Sequence, residues 1–147
     1  MNILFVCTGN TCRSPMAEGL MKKQAELNSL DINCSSAGIS VYPSSQISQN
    51  SVDAMKNYGM DISSHVPEQI TYEHVASSDL VLTMTEAHSD ILRRACPDVS
   101  YKIHSLASYT DTSDIPDPYG GDINEYEYCA EKLNEAISKL CERLKNE

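Results

Sequence analysis

Residues 2–15 read NILFVCTGNTCRSP, and this stretch decides the fold. Asn2 to Cys7 is a nearly unbroken apolar run, the pattern of a strand covered on both faces rather than one with a solvated side. A short polar loop follows, Thr8-Gly9-Asn10-Thr11-Cys12-Arg13-Ser14. Pro15 then opens a helix predicted to run to Asn28, since a proline in the first helical turn forgoes no intrahelical bond. A buried strand, a tight loop and a helix in immediate succession are the first half of a βαβ unit.

The same alternation continues outward. Ile32 to Ala37 reads as a second strand ended by Gly38, and Ser48 to Tyr58 as a helix stopped by Gly59. Thr71 to Ser77 gives one or two helical turns, and Leu80 to Met84 a third strand. Thr85 is placed to cap a helix over Glu86 to Ala95 that Pro97 terminates. Tyr101 to Leu106 reads as a fourth strand. Two prolines and two glycines make Ser113 to Gly121 a loop. Ile123, Tyr126, Leu133, Ile137, Leu140 and Leu144 then form one stripe along a final helix. The expected class is α/β: a three-layer sandwich with a parallel sheet and helices on both faces, as one domain over residues 1–147. Ligands of such sheets sit beyond the carboxyl ends of the strands, which directs attention to the loop after Cys7.

The chain has 147 residues, 41% of them apolar, enough for a packed core. With 21 acidic against 11 basic side chains it carries a formal charge of −10, which argues against a nucleic-acid partner. No apolar run is long enough to span a membrane, and the N-terminus enters a strand without the basic region and cleavage site of a signal peptide. Six cysteines at irregular spacings read as free thiols in a cytoplasmic protein, expected to act as a monomer. No metal-ligand constellation or cofactor motif is present in the sequence.

The loop after the first strand has the composition of an anion cradle around a thiol. Gly9 and Asn10 tolerate left-handed backbone, so the loop can curl with its N–H groups inward. The positive end of the following helix adds to the same spot, and Arg13 offers a two-pronged donor to an oxyanion. Cys7 is then placed to attack phosphorus, with Ser14 and the loop residues Thr8, Thr11 and Cys12 around it. The plainer reading is a core cysteine, a capping serine and a surface arginine. Displacement at phosphorus also needs a proton for the leaving group. Asp117, between Pro116 and Pro118, is the candidate carboxyl, with Asp114 its nearest competitor. Cys34, Cys96, Cys129 and Cys141 read as core thiols, and His74, His88 and His104 as ordinary surface or loop residues.

VCTGNTCRSPMAEG resembles the active-site signature of the low-molecular-weight protein tyrosine phosphatases. SAG at Ser36 to Gly38, SHV at Ser64 to Val66, SDLVLTM at Ser78 to Met84 and DPYGG at Asp117 to Gly121 follow in the family's order. The resemblance implies a four-stranded parallel sheet. It implies Cys7 as nucleophile, Arg13 as transition-state clamp, Ser14 as the hydroxyl supporting the thiolate, and Asn10 as the residue holding the curl. It further implies Ser36 and His65 as partners of that Asn, and Asp117 as general acid and then base.

Typical members have Ile where this chain has Thr11. Thr11 together with DPYGG is similar to the bacterial branch acting on phosphoarginine, and phosphotyrosine is the alternative substrate. A hydroxyl at the rim suits a polar guanidinium better than an apolar ring, and Tyr119 either stacks on the leaving group or packs its own loop. Two other readings stand beside this one. An arsenate reductase needs a pair of cysteines about seven residues apart near the middle of the chain, where Cys96 here has Ser89 seven residues before it. A non-catalytic phosphate-binding module needs no combination of Cys, Arg and Asp. Cys7 and Cys12, five residues apart, are either a reversible disulfide pair protecting the nucleophile or a nucleophile beside a small packing residue.

Overall fold

The computed structural model describes residues 1–147. Strand β1 (Asn2–Cys7) is followed by helix α1 (Arg13–Leu27), β2 (Asn33–Gly38), α2 (Gln49–Lys56), α3 (Tyr72–Ala76), β3 (Leu80–Thr83), α4 (Glu86–Ala95), β4 (Ile103–Ser105), α5 (Leu106–Thr110) and α6 (Ile123–Lys145). The four strands form one parallel sheet in the order β2-β1-β3-β4. The chain leaves β1 toward β2 on one side and later returns to β3 on the other. The loop after β1 therefore sits at the point where strand order reverses, the crevice in which such sheets bind ligands.

Alternation along β1 divides the core into two layers. Ile3, Phe5 and Cys7 face a large cluster with Met16, Leu20 and Met21 of α1, Met55 of α2, and Leu133, Ile137 and Leu140 of α6. Leu4 and Val6 face a smaller one with Val75 of α3, Val81 of β3, Leu92 of α4 and Ile103 of β4. Residues 3–7 are all at most 3% exposed, as a run apolar at every position requires. No helix is long and apolar enough to cross a membrane.

Several boundaries differ from the sequence reading by one or two residues, and three differences have a physical reason. Helix α1 starts at Arg13, two residues before Pro15, which still lies in the first turn where its missing N–H has no partner to lose. Pro97 does not simply end α4: it opens a 3-10 segment, Pro97–Lys102, so β4 is only three residues long. Leu106, assigned to that strand, instead begins α5, for which Ser105 is the N-cap, accepting from Ser108 N. A capping hydroxyl on the last residue of a short strand outweighs the apolar run. Gly9, expected to share the left-handed backbone, does not adopt it. Asn10 does, with φ 56°.

Gly38 closes β2 opposite Cys7 and packs against the loop after β1. A β-carbon there would lie 2.6 Å from Val41 Cγ2, 2.8 Å from the Thr8 carbonyl oxygen and 3.0 Å from Asn10 N. Two of these neighbours are backbone of that same loop and cannot swing away. Gly38→Ala is therefore predicted to lower unfolding free energy by about 1–3 kcal/mol, the usual cost of overpacking, as measured by denaturant titration. A midpoint equal to that of the wild type would contradict this contact.

Candidate active site

The strand end fixes Cys7 at the floor of the loop, 3% exposed. Asn10, in left-handed conformation and fully buried, donates its backbone N–H to Cys7 Sγ at 3.2 Å. Its side-chain amide orientation is fixed by a neighbour of unambiguous polarity, since the Glu68 backbone N–H donates to Asn10 Oδ1 at 3.0 Å. Nδ2 is then the donor, and it reaches Ser14 Oγ at 2.8 Å and Ser36 Oγ at 3.0 Å. Because Ser14 Oγ accepts from Asn10, its own proton is available for Cys7 Sγ, 2.9 Å away. The sulfur thus accepts from two donors that a single asparagine orders.

This network extends outward through residues named from the sequence. Ser36 donates its hydroxyl to Glu18 Oε1 at 2.7 Å. His65 Nε2 lies 3.0 Å from Asn10 Oδ1 and 3.2 Å from its carbonyl oxygen. Both are acceptors, so Nε2 carries the proton. Ser36 and His65 both meet Asn10.

Among the α-helices, α1 is the one whose start no side chain caps. Ser48, Thr71, Thr85, Ser105 and Asp122 each accept from a backbone N–H in the first turn of α2 through α6. The N-cap of α1 is Cys12, which makes no such bond. The first-turn amides of α1 face the loop with their hydrogen-bonding capacity and the positive end of the helix dipole directed at the same place.

Arg13 is 5% exposed, which excludes the surface-arginine reading. It donates from Nη1 to the Ile115 carbonyl at 3.1 Å, and Nη2 lies 3.6 Å from Asp117 Oδ2. Ile115 is itself buried and donates its N–H to the Met84 carbonyl at the end of β3. That pin, together with Arg13, brings the loop carrying Asp117 over the cradle. The Asp117 carboxylate is 56% exposed and accepts from Tyr119 N at 3.1 Å. Asp114 instead approaches the first amide of α4, Glu86 N, at 3.5 Å. The ring of Tyr119 is 79% exposed, so it does not pack its loop onto the domain.

Cys12 is buried under the loop with its Sγ 3.4 Å from Tyr126 Oη. Burial first, and the hydrogen bond to Cys12 second, push the Tyr126 phenol up to about 12. Tyr126 thus supports the loop from α6. The Thr11 carbonyl accepts from Ser48 N at 3.0 Å and Ser51 Oγ at 3.4 Å, and its hydroxyl is left near Cys12 Sγ at 3.5 Å. All six cysteines are free thiols. Cys34, Cys129 and Cys141 pack in or against the layer that holds Cys7, and Cys96 packs in the other layer, across the sheet. Position 89 is occupied by a buried serine bonded to Thr83, so Cys96 has no relay partner there.

His88 departs from the sequence reading. It is 7% exposed, with Nε2 2.9 Å from Thr8 Oγ1, and belongs to the site. No motif marks it, because a histidine in a polar first turn of a helix has no local pattern that separates buried from exposed.

The whole chain from residue 2 to 147 matches the model of the family described as low molecular weight phosphotyrosine protein phosphatase. The chain belongs to this family. Across 149 aligned residues it is 38% identical to a protein-arginine-phosphatase of Bacillus subtilis (strain 168), covering 100% of this chain and 99% of that one. It is 36% identical to a low molecular weight protein-tyrosine-phosphatase, PtpB, of Staphylococcus haemolyticus, covering 95% and 97%. Among solved structures, a C7S mutant of the YwlE arginine phosphatase with a phosphorylated active-site serine superposes with TM-score 0.94 at 37% identity, covering 99% of this chain and 96% of that one. The four-stranded parallel fold and the family membership expected from the signature are thereby established, and the chain is a cysteine-dependent phosphatase.

Burial, and then the Arg13 charge, hold the His88 imidazole below its ordinary value, against the opposing pull of Asp117 and Asp114. The unfolded chain takes up this proton more readily, so stability falls as pH drops through and below the ordinary imidazole range. The melting temperature is predicted to fall between about pH 7 and about pH 5, and to fall less in His88→Gln. Equal slopes in the two proteins would contradict the buried neutral imidazole.

Proposed function

We propose that this chain removes phosphate from phosphoarginine side chains of proteins, with Cys7 as nucleophile, Arg13 as clamp and Asp117 as general acid and then base. The observation that carries the reading is the convergence of the Asn10 N–H and the Ser14 hydroxyl on Cys7 Sγ beneath an uncapped helix start. These groups set a sulfur lone pair toward the centre of a ring of donors, where a tetrahedral phosphoryl group fits.

The steps follow from this arrangement. Three phosphoryl oxygens accept from loop amides and Arg13, and the cost of concentrating negative charge is met by dipoles already in place. Cys7 Sγ forms a bond to phosphorus as the phosphorus–nitrogen bond to the guanidinium breaks. Asp117 gives its proton to the departing nitrogen, which leaves as neutral or protonated arginine. The carboxylate so formed takes a proton from water, whose oxygen attacks the phosphocysteine, releasing inorganic phosphate and restoring the thiolate. Arg13 meets Asp117 at 3.6 Å, so the clamp and the acid are within reach of one ligand.

Support for arginine over tyrosine comes from the mouth of the site. Thr11 places a half-buried hydroxyl in the loop, near Cys12 Sγ, and its backbone is tied to Ser48 and Ser51. A polar rim discriminates against an aromatic ring that leaves its groups unpaired. The exposed ring of Tyr119 is free to lie over a planar guanidinium. The relative of Bacillus subtilis bears the arginine name, and that of Staphylococcus haemolyticus the tyrosine name. Purified protein is predicted to show a kcat/KM on a phosphoarginine peptide at least about tenfold above that on the matching phosphotyrosine peptide, with Thr11→Ile narrowing or reversing the ratio. Equal values, unmoved by the substitution, would contradict the arginine reading. Cys7→Ser is predicted to abolish turnover on both.

A further inference from the structure

Thr8 directly follows Cys7 and is exposed at the mouth of the site. Behind it stands His88, on the first turn of α4, its backbone N–H held by Thr85 Oγ1 at 3.3 Å. The imidazole reaches forward to Thr8 Oγ1 with Nε2 at 2.9 Å, while its Nδ1 is buried without any hydrogen-bond partner in the protein. Buried polar atoms are nearly always partnered, so an orphan beside a reactive centre calls for a physical reason.

The orphan decides the tautomer. A neutral imidazole has one N–H donor and one bare acceptor nitrogen. A buried unpaired N–H is rarer and costlier than an under-used acceptor. The proton therefore sits on Nε2 and is given to Thr8 Oγ1, leaving Nδ1 as the bare nitrogen. The neutral form is also the one that burial and the nearby Arg13 charge favour, with Asp117 and Asp114 the charges opposing them. The Thr8 oxygen, having accepted, keeps its own hydrogen for a partner on its exposed side. His65 likewise donates its Nε2–H to Asn10.

We propose that His88 is a positioning residue of the phosphatase reaction: by donating to Thr8 it aims the Thr8 hydroxyl, as a donor, at a phosphoryl oxygen of the substrate above Cys7. This rests on the phosphatase reading of the site but is independent of the choice between arginine and tyrosine. Thr8 is then a direct contact to the reacting group, and His88 acts through it.

The test is a double-mutant cycle read on para-nitrophenyl phosphate and on a phosphoarginine peptide, with melting temperatures recorded for each protein. Thr8→Val and His88→Ala are each expected to lower kcat/KM about tenfold, the size of one hydrogen bond to a charged group. The double variant is expected to fall no further than the weaker single, and Thr8→Ser to retain near-wild-type kcat/KM. Nitrogen-15 spectra of the wild-type protein are expected to show His88 neutral and protonated at Nε2. Additive losses near a hundredfold would overturn the proposal, as would a folded His88→Ala within twofold of wild type or a proton found on Nδ1. If His88→Ala fails to fold, Thr8→Val and the wild-type spectrum still decide. Absence of turnover by the wild type on both substrates would overturn the phosphatase reading, and this proposal with it.

Discussion

The site depends on one asparagine held where side chains rarely go. Left-handed backbone costs a residue with a β-carbon about 1–2 kcal/mol, and full burial of an amide costs more unless every polar atom is matched. Asn10 meets both costs with bonds to Cys7, Ser14, Ser36, His65 and the Glu68 backbone. Each is worth about 1 kcal/mol net, and none can form unless the loop curls. The curl in turn requires Gly38, because no β-carbon fits between β2 and the loop. The polar network and the packing constraint therefore specify the same backbone.

An acidic chain thereby acquires a site suited to an anion. The formal charge of −10 belongs to the surface, while the cradle combines backbone amides, the open start of α1 and the buried guanidinium of Arg13. These dipoles act at contact distance in a partly desolvated place, where they outweigh charges screened by water farther out. The loop bearing Asp117 is tethered by Arg13 and by the buried Ile115, while its carboxylate and the Tyr119 ring stay in solvent.

Much of this was legible in the residues because the chemistry is local. A two-face apolar strand, a residue tolerant of left-handed backbone and a proline opening a helix identify the loop within fourteen positions. The signature then places Ser36, His65 and Asp117, which spacing alone does not. What escaped depends on contacts between distant segments. Ile115 carries no polar signal, yet it anchors the acid loop. His88 lies eighty positions from Thr8, and its ring is buried by the meeting of α4 with the loop after β1 rather than by its neighbours in sequence. Leu106 looked like strand because apolar content cannot separate a short buried strand from a capped helical turn.

The role of Asn10 is tested most directly by the affinity of the cradle for inorganic vanadate, measured by calorimetry for wild-type protein and for Asn10→Ala. Loss of the ordered loop donors is predicted to weaken binding at least about tenfold, equivalent to about 1.4 kcal/mol, in a variant whose circular dichroism shows the sheet and helices intact. Unchanged affinity in a folded Asn10→Ala protein would contradict the claim that this residue builds the anion site.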